Sequence, residues 1–307
     1  MLSRKAWVFI SLLCITAISV FSKSSWILSV YHDSFPPQNA SLCGCDKCLK
    51  EYDPWFSELM NASPEPFLAM KSNISQDTFT WWKVNVNSLT FTFKDCVMVS
   101  IINFAESSPD HCRTCAVVGN SGNLNGSRYG PLIDFHEIVI RYNESPAFSV
   151  KSADNWYVGT KTTHHVMYPQ SSTNLDNTTH LVLFPFKISD LQWLLKSLTQ
   201  GRKKGLKANK DLVMILSPAF MKYVHFVWLK NKGHYPSTGF LTLILSMHMC
   251  DEVSVFGFGA DRAGNWNHYY EILKNQRLRT GNHHGNLEYE LIQELYQRQK
   301  ISFFRGW

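Results

Sequence analysis

The chain has little charge. Asp, Glu, Lys and Arg make up 18% of its 307 residues, against 45% hydrophobic residues. That balance excludes an intrinsically disordered chain and fits one with a sizeable core. Net charge is only +6, too modest to make nucleic acid the default partner and equally suited to an anionic small substrate. The one dense basic run, GRKKGLKANK at 201–210, has no aromatic residues interleaved and reads as a solvated loop, so no nucleic-acid partner is expected. No internal repeat occurs. No Asp-x-Asp occurs either, so the chain lacks the carboxylate pair with which many nucleotide-diphosphate enzymes hold a divalent ion, and neither metal nor cofactor is expected. GxGxxG is also missing, because GNSGNLNG at 119–126 does not fit that dinucleotide fingerprint.

The N-terminus carries the first positive signal. Arg4 and Lys5 precede an uncharged stretch over 6–22, which Lys23 ends. Its length lies at the low edge of the ~17–25 residues that span a bilayer. The two preceding cations should remain cytosolic and send the rest of the chain into the lumen. A cleaved signal peptide usually has a shorter apolar region and a small-residue cleavage site, so the stretch reads as an uncleaved anchor. Thin Golgi and ER bilayers suit so short a span. The expected organisation is a cytosolic tail at 1–5, a signal-anchor helix at 6–22, a Ser/Pro/Asn-containing stem at 23–42 and a lumenal domain at 43–307.

Beyond Cys14, seven cysteines remain: Cys43, Cys45, Cys48, Cys96, Cys112, Cys115 and Cys250. Sequons begin at Asn39, Asn61, Asn73, Asn125, Asn143 and Asn177. Together they fit an oxidising secretory compartment. The spacings CxCxxC and CxxC are also compatible with zinc, and the lumenal address favours disulfides.

From residue 115 onward short apolar, β-branched runs alternate with helical stretches. CAVVG, HEIVIRY, HLVLFPF, LVMIL and EVSVFGFG read as buried parallel strands. DLQWLLKSL, PAFMKYVHFVWLK and TGFLTLILSMHM read as helices, the last opened by Ser237 and Thr238. Residues 50–82 read as helical pieces ending at Trp81 and Trp82. The alternation predicts an α/β fold, a mostly parallel sheet flanked by helices.

In such a sheet ligands bind beyond the carboxyl ends of the strands. Three turns qualify. GNSGN at 119–123 follows a strand directly, and its glycines permit close backbone approach while Asn and Ser supply donors and acceptors. YPSTG at 235–239 opens a helix, whose N-terminus suits an anion. The third is a His-rich stretch containing His268, His283 and His284, with Glu288 five residues after His283. Histidine is the natural general base near neutral pH. Each turn taken singly is also compatible with an ordinary structural role.

Taken in order, these pieces resemble the animal sialyltransferases, glycosyltransferase family 29. The large motif looks like Cys115 to Asn143 and the small motif like residues 235–259. HYYE, His268 to Glu271, resembles the third motif, and His283 to Glu288 the very small one. The likeness is greatest to the β-galactoside α-2,3-sialyltransferases acting on Galβ1-3GalNAc. It implies a GT-A-like Rossmann-type fold, one lumenal catalytic domain, and an inverting, metal-independent transfer from CMP-sialic acid to a galactose-terminated acceptor on a glycoprotein or glycolipid. The implied address is the Golgi membrane, as a single-pass type II protein.

By that resemblance His283 is the general base, and His268, Tyr168 and Tyr223 stabilise the departing phosphate. Asn120, Ser121, Asn123, Asn143, Ser237 and Gly239 hold CMP-sialic acid, and Tyr235 and Trp266 face the acceptor. Glu288 orients its neighbourhood. Cys115 pairs with Cys250, Cys45 with Cys112 and Cys43 with Cys48, leaving Cys96 single. The chain departs from the family over 83–110, where Val86 replaces a Gln that contacts the acceptor, and at Tyr270, where the nearest relatives carry Trp. A catalytically silent lumenal glycan-binding protein with the same fold is the rival reading. The His283–Glu288 motif argues for the enzyme and the 83–110 stretch for the silent form.

Overall fold

Continuous apolar runs make strands that are comfortable only when covered on both faces, and five such runs, with two less obvious strands, form a seven-stranded sheet. The structure is a computed structural model. It describes residues 43–46, 48–49, 51–69, 74–82, 107–142, 154–199, 206–261, 264–270 and 283–306. The expected tail, anchor and stem over 1–42 lie outside these residues, as do Val86, Cys96, Asn143 and Glu271. Among the described residues no helix is long and apolar enough to cross a membrane.

In chain order the elements are helices α1 (Pro54–Asn61) and α2 (Gln76–Trp82), strand β1 (Thr114–Val118), α3 (Gly130–Phe135), β2 (Ile138–Tyr142), α4 (Asp154–Val158), β3 (His164–Met167), β4 (His180–Leu183), α5 (Ile188–Thr199), β5 (Val213–Ile215), α6 (Pro218–Tyr223), α7 (Thr238–Met249), β6 (Glu252–Phe256), α8 (Gly285–Gln297) and β7 (Ser302–Phe304). A π-turn over Val224–Trp228 continues α6. The strands lie in the order β5-β4-β3-β2-β1-β6-β7, and every pairing is parallel. The order therefore reverses between β1 and β6, where a crevice opens beyond the strand ends.

The core follows from sequence. Cys115, Ala116, Val117 and Val118 of β1 are all buried, as are Val253, Ser254, Val255 and Phe256 of β6. Helix α7 is apolar on nearly every side, and Phe240, Leu241, Leu243, Ile244, Leu245, Met247 and Met249 are all buried. Such a helix belongs inside a domain. Ser237 starts it, its Oγ accepting from the Phe240 N–H at 3.1 Å.

Three disulfides join Cys43 to Cys48, Cys45 to Cys112, and Cys115 to Cys250. The last ties β1 to the residue that ends α7, across a sequence separation of 135. Cys45, Cys112 and Glu252 are the one His/Cys/Asp/Glu cluster among the described residues with metal-like spacing, and its sulfurs are bonded to each other.

The strands expected at 115–119, 136–142, 180–186, 212–216 and 252–259 all occur, with ends that differ by up to three residues. Strands β3 and β7 were not anticipated, nor was the break of 218–230 into α6 and a π-turn.

Candidate active site

At the β1/β6 switch point lies a cavity of about 390 Å³. Its walls draw on all three stretches singled out in the sequence, and also on the turn after β6, on α8 and on two tyrosines. Asn120 and Ser121 follow β1, Gly257, Phe258 and Gly259 follow β6, and Ser237, Thr238 and Gly239 open α7. Gly285, Glu288, Tyr289 and Ile292 line it from α8, at the i, i+3, i+4, i+7 spacing of one helix face. Tyr142, Tyr168, Trp266, Asn267, His268 and His283 complete the wall.

The turn after β1 is fixed by hydrogen bonds to its neighbours. Ser121 Oγ donates to the Gly259 carbonyl at 2.7 Å and accepts from the Asn123 N–H at 3.2 Å. The His268 segment pairs back onto this turn, with the Tyr269 N–H donating to the Asn120 carbonyl at 2.8 Å and the Gly122 N–H to the Asn267 carbonyl at 2.8 Å. Asn120 Nδ2 donates to the Tyr142 carbonyl at 3.3 Å, while its Oδ1 is buried without a hydrogen bond. A buried acceptor on a cavity wall is a place for a ligand donor.

The Tyr142 hydroxyl is wedged between two turns. A Cβ at Gly239 would lie 2.7 Å from it and one at Gly119 2.9 Å, so both positions need glycine for close approach. Burial raises the Tyr142 pKa further above the usual phenol value, so it stays protonated.

Glu288 defines the floor. It is buried, and its carboxylate accepts from the Ser237 N–H at 2.8 Å and from Ser237 Oγ–H at 2.6 Å. Burial outweighs the two Ser237 bonds and the nearby His283 and His284, which pull the other way, and holds its pKa above the usual carboxylate value. With Ser237 so occupied, the Thr238 and Gly239 N–H groups remain. As the first amides of α7 they have no partner inside the helix, and both residues line the cavity. Amides so placed are able to donate to an anion.

His283 lies on the cavity wall with Nδ1 3.1 Å from the Tyr235 carbonyl. A carbonyl only accepts, so Nδ1 carries the proton, and Nε2 holds the lone pair of the neutral ring. Its ring also meets Tyr235 edge-on at 4.9 Å. His284 points elsewhere and caps α8, its Nδ1 accepting from the Leu287 N–H at 3.4 Å. The His268 ring stacks on Tyr270 at 5.2 Å and 12°.

The structure thus brings His283, His268, Asn120, Ser121, Tyr168, Ser237, Gly239 and Trp266 to one cavity. Tyr235 stands beside His283 and not on the wall. Asn123 is also off the wall: it is buried, and its Nδ2 donates to the Phe258 carbonyl at 2.9 Å, bracing the β6 turn. Tyr223 needs a correction. It is a core residue whose hydroxyl donates to the Leu59 carbonyl at 2.7 Å and accepts from Trp228 Nε1 at 2.8 Å. Both hydroxyl functions are thereby used, and burial raises its pKa to about 12. It does not reach the cavity. Tyr142, Phe258, Asn267 and Tyr289 line the site without having been singled out. Tyr142 had a usable signal, as it directly precedes the last residue of the large motif.

Comparison with known proteins decides the family. Residues 67–300 match the family described as glycosyltransferase family 29 (sialyltransferase). The chain belongs to that family. It is 38% identical over 287 residues to CMP-N-acetylneuraminate-beta-galactosamide-alpha-2,3-sialyltransferase 1 of Gallus gallus, covering 86% of this chain and 82% of that one. To the Homo sapiens protein of the same name it is 39% identical over 285 residues, covering 86% and 83%. A crystal structure of a mammalian sialyltransferase in complex with Gal-beta-1-3GalNAc-ortho-nitrophenol superimposes with a TM-score of 0.74 at 38% identity. It covers 86% of this chain and all of that one (100%).

Proposed function

We propose that this sialyltransferase moves sialic acid from CMP-sialic acid onto the 3-hydroxyl of a terminal galactose, with inversion and without a metal. The acceptor class is Galβ1-3GalNAc on glycoproteins or glycolipids. The observation that carries the mechanism is the Nδ1–H bond from His283 to the Tyr235 carbonyl, which leaves Nε2 as the basic atom beside the cavity.

The galactose oxygen attacks the anomeric carbon of sialic acid as the bond from that carbon to the phosphate oxygen breaks. The electron pair leaves with CMP, and the hydroxyl proton passes to His283 Nε2. The imidazolium so formed lies in the field of the Glu288 carboxylate, which favours it. The amides of Thr238 and Gly239, with His268 and Tyr168, meet the charge growing on the phosphate. Asn120, Ser121 and Asn143 hold the nucleotide, Ser237 acts on it by fixing the start of α7, and Tyr235 and Trp266 flank the acceptor. A single-phosphate leaving group can be neutralised by hydrogen bonds and one histidine.

The proposed setting is the Golgi lumen, with residues 6–22 as the membrane anchor and Arg4 and Lys5 on the cytosolic side. The relatives reported above are named as transferases, which favours activity over the silent form. Incubating the full chain in detergent with CMP-sialic acid and Galβ1-3GalNAc tests this. An α-2,3-linked product, formed also in the presence of a strong chelator, is expected. No product, or another linkage, would overturn the proposal.

A further inference from the structure

The π-turn after α6 carries a histidine that belongs to no motif. Insertions of this kind cluster at functional sites, because one extra residue per turn re-aims a side chain. Here the Leu229 N–H reaches back to the Val224 carbonyl at 3.1 Å, and the His225 carbonyl accepts from the Asn231 N–H at 2.9 Å. The His225 side chain is 3% exposed, with Trp81 at 5.9 Å and Phe226 at 5.3 Å between ring centres. Its Nε2 lies 3.2 Å from the Gly233 carbonyl, so Nε2 carries the proton. Its Nδ1 is buried without a hydrogen bond.

The loop that His225 holds is conformationally demanding. Lys230, Asn231 and Gly233 have φ of 50°, 58° and 77°, so three of its residues are left-handed and two of those carry side chains. Such backbone persists only where its surroundings over-determine it. His225 does so twice, by its carbonyl to Asn231 and by its ring to Gly233. Two residues after Gly233 comes Tyr235, whose carbonyl receives the His283 Nδ1–H and whose ring meets the His283 imidazole.

We infer that His225 is a positioning residue for the transfer reaction: by pinning the 230–235 loop it sets the height of the Tyr235 carbonyl, and through it the tautomer and aim of His283. This rests on His283 being the base. The anion donors at the start of α7 and the Asn120 turn are held by other bonds, so the effect should fall on acceptor use and turnover and not on nucleotide affinity.

His225→Phe keeps the ring and its aromatic neighbours but removes the donor. Losing one net hydrogen bond and shifting the base by up to an ångström should lower kcat over acceptor KM by roughly 5- to 100-fold, with CMP affinity unchanged. His225→Gln places an amide nitrogen near the Nε2 position and should recover most of the loss. If the phenylalanine variant does not fold, His225→Asn makes the same comparison, because its amide falls short of Gly233 and should retain the defect. The inference is overturned if the donor-less variant matches wild type in turnover and acceptor KM, if CMP affinity falls in parallel, or if glutamine does no better than phenylalanine. His283→Ala, assayed alongside, separates the two readings. If it stays active the base assignment fails, whereas an inactive His283→Ala with a normal His225→Phe removes only the role of His225.

Discussion

Removing the Glu288 carboxylate tests how the end of the cavity at the start of α7 is built. In the native chain its two oxygens accept the Ser237 N–H and Oγ–H, at 2.8 and 2.6 Å. Glu288→Ala leaves both donors without their partner in a buried place. Each such group costs about 1–3 kcal/mol, and water entering from the adjoining cavity moves the sum toward its lower end. A loss of about 2–5 kcal/mol follows, which for a domain of this size lowers Tm by roughly 5–20 °C. Ser237 also starts α7, so the Thr238 and Gly239 amides should lose their aim and CMP affinity should fall with stability. Glu288→Gln keeps one acceptor and should lie between. Thermal unfolding and calorimetric CMP titration of the full chain measure both effects. If Glu288→Ala melts and binds CMP like wild type, the carboxylate does not organise the site.

Other outcomes follow from the same geometry. Cys250→Ala opens a bridge spanning 135 residues, worth about 5 kcal/mol in the chain-entropy account, and should give an inactive protein retained in the endoplasmic reticulum. Normal onward transport and activity would contradict a structural role. Tyr223→Phe should cost about 1–3 kcal/mol, by leaving the Leu59 carbonyl and Trp228 N–H unpaired, while donor KM stays unchanged. Lost turnover at full stability would instead put Tyr223 in the reaction. His164, buried and stacked on His180 at 4.3 Å, has its pKa lowered from 6.5 to about 3, by burial first and then by its neighbour. The unfolded chain therefore binds the proton more readily, and the stability His164 contributes above pH 6.5 is lost as pH falls toward 3, by about 1.4 kcal/mol per unit. Denaturant unfolding at pH 7 and pH 5 should show His164→Phe losing less over that interval than wild type; equal losses would count against it.

Some of this was readable before the structure and some was not, for physical reasons. Strands covered on both faces give unbroken apolar runs, which is why CAVV and EVSVF stood out. HHVM of β3 starts with two histidines and SFF of β7 is only three residues long, so neither makes a visible run. The break at Val224 is invisible to periodicity, because PAFMKYVHFVWLK is apolar enough to satisfy either an α- or a π-turn. Motif order brought His283, His268, Ser237 and Gly239 to one cavity across long separations. It misled at Tyr223, where the local pattern, with Phe220, Val224 and Trp228 around it, was that of a core face. It was silent on Glu288 as the partner of Ser237, a contact 51 residues apart in sequence that only the tertiary fold creates.

His283 is the proposed base of the transfer. General-base help contributes ~100- to 10,000-fold, so turnover of His283→Ala with saturating CMP-sialic acid and Galβ1-3GalNAc should fall by about that factor while CMP still binds. His284→Ala, which removes only a helix cap, should retain its turnover. Near-normal transfer by His283→Ala, with loss in His284→Ala, would contradict the account.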